Sequence, residues 1–129
     1  MRIKNIDIIK SYENLKNFFS NDEKYFPAKI TFIILKNIKI FEILAEEIYI
    51  ARDNIVKHYG VPDKEDKESF IIPKEVQEIT QKELDDLIEL EQEVPILKIK
   101  FSDIESLEFT MNQMEAIMFM IEEDDQVEA

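Results

Sequence analysis

The sequence predicts an α+β fold, mainly α, in which an antiparallel helical pair with one long helix carries a small two- or three-stranded sheet and a short C-terminal helix. Two observations predict this class. One apolar stripe at helical spacing runs from Pro27 to Gly60, and short stretches with strand-like alternation occur only later in the chain. With 129 residues and no repeat or linker-like segment, the chain is expected to form a single domain, residues 1–129.

The first predicted helix covers about Asn5 to Phe19. Residues 1–4 are expected to be extended, and Asn5 suits an N-cap. Apolar residues then recur at helical spacing: Ile6, Ile9, Tyr12, Leu15, Phe18 and Phe19. Residues 20–22 (Ser-Asn-Asp) are expected to end the helix. The aromatic pair Tyr25 and Phe26 follows, and we interpret it as a hydrophobic staple in preference to a ligand platform. The short connection predicts antiparallel packing on the next helix.

The stretch from Pro27 to Gly60 predicts one long helix. Pro27 suits the first turn, where its missing N–H is not needed. The apolar stripe behind it contains Ile34, Ile38, Phe41, Leu44, Ala45, Ile48, Ala51, Ile55 and Tyr59. Gly60 is the only glycine and Pro62 follows it, which predicts a helix end with Gly60 in the left-handed region. At about 1.5 Å per residue this helix is roughly 50 Å long, so part of it should project or be covered by another helix.

The next segment predicts an exposed charged loop, a short strand and a third helix. The loop is residues 61–69, and the strand is residues 70–72, closed by Pro73. Thr80 and Glu83 have capping-box spacing, so the helix is expected to begin at Thr80 and to end before Pro95. Residues 74–79 could belong to this helix or to a separate turn. The outward face of the helix is expected to be acidic: Glu83, Asp85, Asp86, Glu89 and Glu91.

The last third predicts short strands and a final helix. Residues 97–101 alternate, with Lys98 and Lys100 expected to face water, and residues 107–109 alternate again. Ser102 and Glu105 have capping-box spacing for at most one helical turn. Thr110 with Gln113 predicts the start of the final helix, whose core face is expected to comprise Met111, Met114, Ile117, Met118 and Ile121. Met120 lies off this stripe and is expected to be exposed. The tail from residue 122 onwards is expected to fray.

The net charge of −13 is unevenly distributed. Residues 1–60, the helical framework, carry ten Lys or Arg against eight Asp or Glu, whereas residues 61–129 carry six against twenty-one. This second part comprises an acidic α/β half, residues 61–122, and an acidic tail, residues 123–129. Such an acidic half repels a phosphate backbone, which disfavours direct nucleic-acid binding and favours a basic protein partner. The simpler interpretation is that these carboxylates only solvate helix faces.

The residue inventory disfavours an enzyme. Phosphate-binding loops need several glycines, and the single histidine, His58, stands at a helix C-terminus, where the helix dipole favours its charged form. With no cysteine, thiol catalysis and thiolate metal sites are excluded. The carboxylates of residues 122–125 cluster, but they lack EF-hand spacing. Lys36, Lys39 and Glu42 interrupt the most apolar run, which disfavours a membrane span. We expect no catalysis, no cofactor and no metal.

Several short motifs resemble a phage protein family. They are Ile3-Lys4-Asn5, Pro27-Ala28-Lys29-Ile30, Lys36-Asn37, Ala51-Arg52-Asp53, His58-Tyr59-Gly60, Ile99-Lys100-Phe101-Ser102-Asp103 and Met114 to Ile121. In this order they resemble small proteins of unknown function from tailed phages and prophages of Gram-positive bacteria. The resemblance implies a phage-encoded protein located in the host cytoplasm or the virion. It implies no activity and no binding residues.

Two functions remain as hypotheses. The first is a virion or assembly accessory component that joins copies of itself or a phage structural protein through the long helix. The second is an acidic anti-defence inhibitor that mimics nucleic acid and binds a host nucleic-acid-handling protein. We prefer the first, because acidic surfaces are common and mimicry is rare. Neither requires a membrane. The candidate partner-binding residues are Glu83, Asp85, Asp86, Glu89 and Met120.

Overall fold

The computed structural model describes residues 1–20, 24–66 and 68–123. In this part of the chain the elements are β1 (Arg2–Lys4), α1 (Asn5–Phe19), α2 (Ala28–Tyr59), β2 (Val61–Pro62), β3 (Phe70–Ile71), α3 (Gln77–Glu89), β4 (Glu91–Glu93), β5 (Ile99–Lys100), α4 (Met111–Ile117) and β6 (Ile121–Glu122). Single 3₁₀ turns occupy Lys74–Val76, Phe101–Asp103 and Met118–Met120. The predicted class, α+β and mainly α with one long helix, is confirmed.

The helices α1 and α2 form the predicted antiparallel pair. At one end, the Phe19 ring of α1 lies 6.1 Å from the Phe26 ring that precedes α2. Towards the other end, Ile9 of α1 lines the same groove as Ile48 and Arg52, which belong to the C-terminal half of α2. The N-terminal part of one helix therefore lies beside the C-terminal part of the other.

The core is centred on α2. Its buried apolar side chains recur at helical spacing from Ile30 to Ile48, and none of its residues beyond Ile48 is fully buried. Around this face pack fully buried side chains from the rest of the chain: Ile8, Leu15, Val94, Ile99, Ile104, Ile117 and Met120. The last three turns of α2 therefore extend past the main core, and α3 covers them on one side, as the shared groove residues Tyr49, Arg52 and Leu84 indicate.

Six short strands form three separate pairs within the described residues. β1 and β4 are antiparallel, with Ile3 opposite Gln92. β2 and β3 form a hairpin, and β5 and β6 are parallel, with Ile99 opposite Ile121. The expected strands at 70–72 and 97–101 are present but shorter, and Lys98 and Lys100 are exposed as predicted. β4 was not predicted, because its residues are all polar.

The prediction of a strand at residues 107–109 is wrong. The Leu107 backbone N–H donates to the Ile104 oxygen at 2.9 Å, so this stretch belongs to a turn. Phe109 then turns inward, and its ring stacks on Phe26 with 5.0 Å between centroids. The apolar alternation at residues 107–109 therefore reflects the packing of Phe109 against Phe26 and not a strand. Of the aromatic pair before α2, Phe26 is buried in this cluster and Tyr25 is exposed.

The predicted start of α1 is confirmed, but the capping role of Asn5 and the predicted start of α3 at Thr80 are wrong. Asn5 is the first residue of α1 and caps nothing, because its side chain is buried and donates to the Leu87 oxygen at 2.8 Å. Thr80 lies inside α3, where its hydroxyl donates to the Val76 oxygen at 2.6 Å, as threonines inside helices commonly do. Residues 77–79 thus belong to α3, and residues 74–76 form the separate turn. The N-cap of the turn at Phe101–Asp103 is Lys100, so Ser102 lies inside this turn and not at the predicted N-cap position.

Gly60 ends α2 as predicted, but not in the predicted conformation. Its φ of −88° and ψ of 166° are extended and open to any residue. A side chain is excluded by space, because a Cβ on Gly60 would lie 2.7 Å from the Val56 oxygen and 3.1 Å from the Phe70 Cβ. The glycine lets β3 lie close against the end of α2. By contrast, the capping box of Thr110 and Gln113 at the start of α4 is confirmed.

Candidate functional site

The acidic residues predicted to bind a partner lie on α3, and Asp85, Asp86 and Glu89 already have partners within the chain. The Asp86 carboxylate pairs with Lys82 at 3.3 Å, and Gln81 donates to Asp85 at 2.9 Å. Burial, followed by a hydrogen bond to Glu83, raises the pKa of the Tyr59 phenol above its ordinary value. Glu89 accepts from Lys4 at 2.8 Å.

The Glu89 contact belongs to a row of ion pairs along the β1–β4 sheet. Arg2 pairs with Glu91 at 3.2 Å, and the N-terminal amine pairs with Glu93 at 3.1 Å. The hydrogen bond to Glu89, followed by the charge of that carboxylate, raises the pKa of Lys4. Basic groups from the start of the chain thus lie against the most acidic segment. The surface around β4 is therefore less negative than the charge count of residues 61–129 alone indicates, because basic groups of residues 1–60 pack against it.

A groove among α1, α2 and α3 has polar side chains among its apolar walls. Its walls include Ile9, Glu13, Tyr49, Arg52 and Asp85. The Arg52 guanidinium lies 5.0 Å from the centroid of the Tyr49 ring. Burial, followed by the charge of Glu13, raises the pKa of Tyr49. These contacts satisfy the polar groups within the protein.

Met120 is a correction to the predicted site. It was expected to be exposed, but it is 0% exposed, and its sulfur accepts a hydrogen bond from Asn37 at 3.3 Å. Met111 and Met118, expected in the core, are 89% and 62% exposed. The buried face of this segment instead contains Gln113, Ala116, Ile117 and Met120. The buried face could not be recognised from the sequence, because it includes a polar residue, Gln113. The Gln113 side chain is held there because it donates a hydrogen bond to the Phe18 oxygen at 3.1 Å.

The sequence reasoning missed an apolar surface that lies on the side of α2 away from the core. Phe32, Leu35, Ile43 and Ile50 are 54% to 58% exposed. At about 100° per residue, Phe32, Ile43 and Ile50 fall within about 20° of one another around the helix, and Leu35 lies about 60° to one side. We call these four side chains the outer face. A helix apolar on two opposite sides normally contacts a partner on both.

Charges on either side of the outer face change sign along the helix. Lys36 flanks its N-terminal half, and Lys39 lies within that half, about 20° from Phe32 around the helix and 3.4 Å from the Glu42 carboxylate. Glu46 and Glu47 flank its C-terminal half. Lys36, Lys39, Glu46 and Glu47 are exposed. The Lys36 amine lies 5.7 Å from the centroid of the Phe32 ring, so its stem lies along the apolar row. The outer face is therefore an apolar strip with a basic end and an acidic end, which differs from a generally solvated helix surface.

The described residues give little support for other chemistries. In residues 1–20, 24–66 and 68–123, no group of three or more His, Cys, Asp or Glu side chains could hold a metal ion. Of the acidic run at 122–125, residues 124 and 125 lie outside the described part. His58 is exposed, with its ring edge-on to Tyr59 at 4.6 Å. No described helix combines the length and the apolar character needed to cross a membrane.

Comparisons with known proteins found no relative. No family model matches the sequence, no curated protein matches it, and no solved structure matches the fold.

Proposed function

We propose that this is a non-catalytic, phage-encoded protein that works by protein contact, as an accessory component of the virion or of its assembly. One observation carries the proposal: the outer face of α2 presents four large apolar side chains, each with more than half of its surface exposed among the described residues. Large exposed apolar rows are uncommon on monomeric proteins and mark contact surfaces. The resemblance of its short motifs to phage and prophage proteins supports the phage origin.

The charge distribution also favours this function over mimicry of nucleic acid. A mimic needs unpaired negative charges in a row, because free carboxylates must replace phosphates in a basic groove. Of the four acidic candidates, Asp86 and Glu89 form ion pairs with Lys82 and Lys4. Releasing them would cost the existing contacts before any gain from a partner. The acidic inhibitor therefore remains the second candidate.

One experiment with two matched variants tests the proposal. The tagged protein is expressed in its native host during phage growth, and the co-purified proteins are identified and quantified. We expect phage structural proteins with the wild type and their loss with the outer-face variant Ile43→Lys/Ile50→Lys. The acidic variant Glu83→Gln/Asp85→Asn/Asp86→Asn/Glu89→Gln should capture them as the wild type does. Circular dichroism checks that both variants fold.

The opposite result would favour the second candidate. If the acidic variant loses a host nucleic-acid-handling protein that the wild type releases at high salt, and the outer-face variant keeps it, the assembly function is contradicted. The salt dependence separates the two functions, because contacts between exposed charges are screened and apolar contacts are not.

A further inference from the structure

We propose that the outer face of α2 binds the outer face of a second copy of this chain, with the two helices antiparallel about a two-fold axis near Glu42. This inference rests on the proposed function, since it assigns an occupant to the same surface. The geometry points to a second copy through three features: the position of the apolar row, the order of the charges along it, and the one register that pairs Lys39 with Glu46 and Leu35 with Ile50.

The apolar row is long enough to form a helix contact. Phe32 and Ile50 lie on the same side of α2 about five turns apart, which is about 27 Å along the axis. Each of the four side chains leaves a little over half of its surface exposed, or on the order of 100 Å². The stems of Lys36 and Lys39 add apolar area beside the row. The four side chains together expose about 400 Å², roughly half of the 800 Å² per partner of a standard interface, so the dimer is expected to be weak and to form only at high protein concentration.

The order of charges selects the antiparallel orientation. In a parallel pair, Lys36 and Lys39 would face the same lysines of the other copy, and Glu46 and Glu47 would face the same glutamates. Like charges placed opposite each other disfavour an interface. In an antiparallel pair, the basic end of each copy meets the acidic end of the other. Exposed ion pairs contribute little affinity, so their role here is to set orientation.

One charged pair and one apolar pair agree on a register. The midpoint between Phe32 and Ile50 is Phe41, and the midpoint between Lys39 and Glu46 lies just after Glu42. A two-fold axis at that place brings Lys39 of each copy opposite Glu46 of the other. It also brings Leu35 opposite Ile50. A symmetric surface of this kind is self-complementary, as an isologous dimer requires.

The pairing leaves each copy intact. The outer face lies on the side of α2 opposite Phe41 and Ile48, which are buried in the core. The two domains would therefore lie on opposite sides of the helix pair, and no described element has to move.

Sedimentation equilibrium over a concentration series tests the dimer. We expect the wild type to approach twice the mass of one chain. Ile43→Lys/Ile50→Lys should raise the dissociation constant about 100-fold, as expected for removing central apolar contacts. The matched control Met118→Lys changes an equally exposed apolar side chain elsewhere and should leave the mass unchanged. A wild type that stays monomeric at every concentration overturns the inference.

Charge reversal tests the orientation. Two double variants each reverse the charges at one end of the outer face: Lys36→Glu/Lys39→Glu and Glu46→Lys/Glu47→Lys. Each should weaken the dimer about tenfold, because it places like charges of the two copies opposite each other in an antiparallel pair. The variant with all four changes should recover wild-type association, since every opposite pair is restored with its signs exchanged. If the two double variants dimerise as well as the wild type, the antiparallel charge pairing is wrong.

Cross-linking tests the register. The sequence contains no cysteine, so each introduced cysteine is the sole thiol of its chain. A short bismaleimide should link Leu35→Cys chains to Ile50→Cys chains in a mixture. It should not link Leu35→Cys chains to one another. Efficient linkage of Leu35→Cys chains alone would indicate a parallel pair and overturn the inference.

The results that contradict the dimer differ from the results that contradict the proposed function. A monomeric wild type that still captures phage proteins through its outer face contradicts the dimer and keeps the assembly function. A dimer whose capture of phage proteins is unchanged in the variant Ile43→Lys/Ile50→Lys keeps the dimer and contradicts the proposed use of the outer face in assembly.

Discussion

The side-chain amide of Asn37 pairs with the backbone of Leu97 through two hydrogen bonds. Its nitrogen donates to the Leu97 oxygen at 2.9 Å, and the Leu97 N–H donates to its oxygen at 2.8 Å. Asn37 lies in the middle of the buried face of α2 and is fully buried. The amide thus acts as a strand partner for the extended segment before β5. A polar residue interrupts the apolar face of α2 because it connects this helix to the last third of the chain.

Replacing Asn37 by the similarly sized Leu should destabilise the protein. The Leu97 N–H and carbonyl would lose their partners beside the core, and such a loss costs about 2 to 3 kcal/mol. Urea unfolding followed by circular dichroism measures the change. Asn54→Leu is the control, because Asn54 is an exposed residue of the same helix, and it should change stability by less than about 0.5 kcal/mol. Equal stabilities for the two variants would contradict a structural role of Asn37.

Met120 and Met118 should respond differently to the same substitution. Met120→Ala removes a fully buried side chain and should cost about 2 to 5 kcal/mol in the free energy of unfolding. Met118→Ala truncates an exposed side chain and should change it by less than about 0.5 kcal/mol. Thermal and urea unfolding of both variants provide the measurement. If the methionine facing the core were Met118, as the sequence suggested, the two effects would be reversed.

Substitutions at Gly60 distinguish crowding from backbone conformation. Gly60→Ala should destabilise the protein by about 1 to 3 kcal/mol, because the new Cβ would meet the Val56 oxygen and the Phe70 Cβ. Gly60→Asn should cost at least as much. Asparagine tolerates the left-handed region, so a left-handed Gly60 would instead accept Asn better than Ala. Amide hydrogen exchange in β2 and β3 reports whether the hairpin moves away from α2.

Stability should fall at alkaline pH as Tyr49 ionises. Its pKa is raised above the ordinary 10.0, first because burial disfavours the phenolate and then because Glu13 is negatively charged nearby. The folded protein therefore holds this proton more tightly than the unfolded chain. The resulting stabilisation is complete below about pH 10 and is lost as the pH rises through the raised pKa. Urea midpoints at pH 9 and pH 11 measure this loss.

Two variants show which groups cause the loss of stability at alkaline pH. Tyr49→Phe removes the ionising group, so the loss of stability between pH 9 and pH 11 should become smaller. Glu13→Gln removes the neighbouring charge and should shift the absorbance titration of Tyr49 to lower pH. An unchanged titration in Glu13→Gln would show that this carboxylate does not act on the phenol.

Local signals made the helical framework predictable. The bounds of α1, the end of α2 at Gly60 and the capping box of Thr110 with Gln113 follow from apolar spacing and from side chains that act within one turn. These signals operate over neighbouring residues, so a single sequence contains them in full.

The remaining features depend on contacts between distant residues. β4 is all polar and is a strand only because Gln92 lies opposite Ile3. Asn5 has the chemistry of an N-cap, but a carbonyl of α3 holds its side chain instead. The candidate surface could not be read from the sequence for the same reason: the acidic residues lie on α3 as predicted, but the basic partner of Glu89 is Lys4, which comes from the start of the chain. The outer face could not be recognised from the sequence, because α2 is apolar on two sides and the sequence does not show which side the rest of the chain covers.

The β1–β4 pairing has a consequence for how the chain folds. Arg2 finds its strand partner at Glu93, and the backbone N–H of Asn5 donates to Leu90. During synthesis, α1 and α2 leave the ribosome together and can pair early, whereas the first residues wait for a segment made much later. Such late closure lengthens folding, because the loop must close before its contacts contribute. Residues 2–5 are therefore expected to reach their native positions only after residues 90–93 have been made.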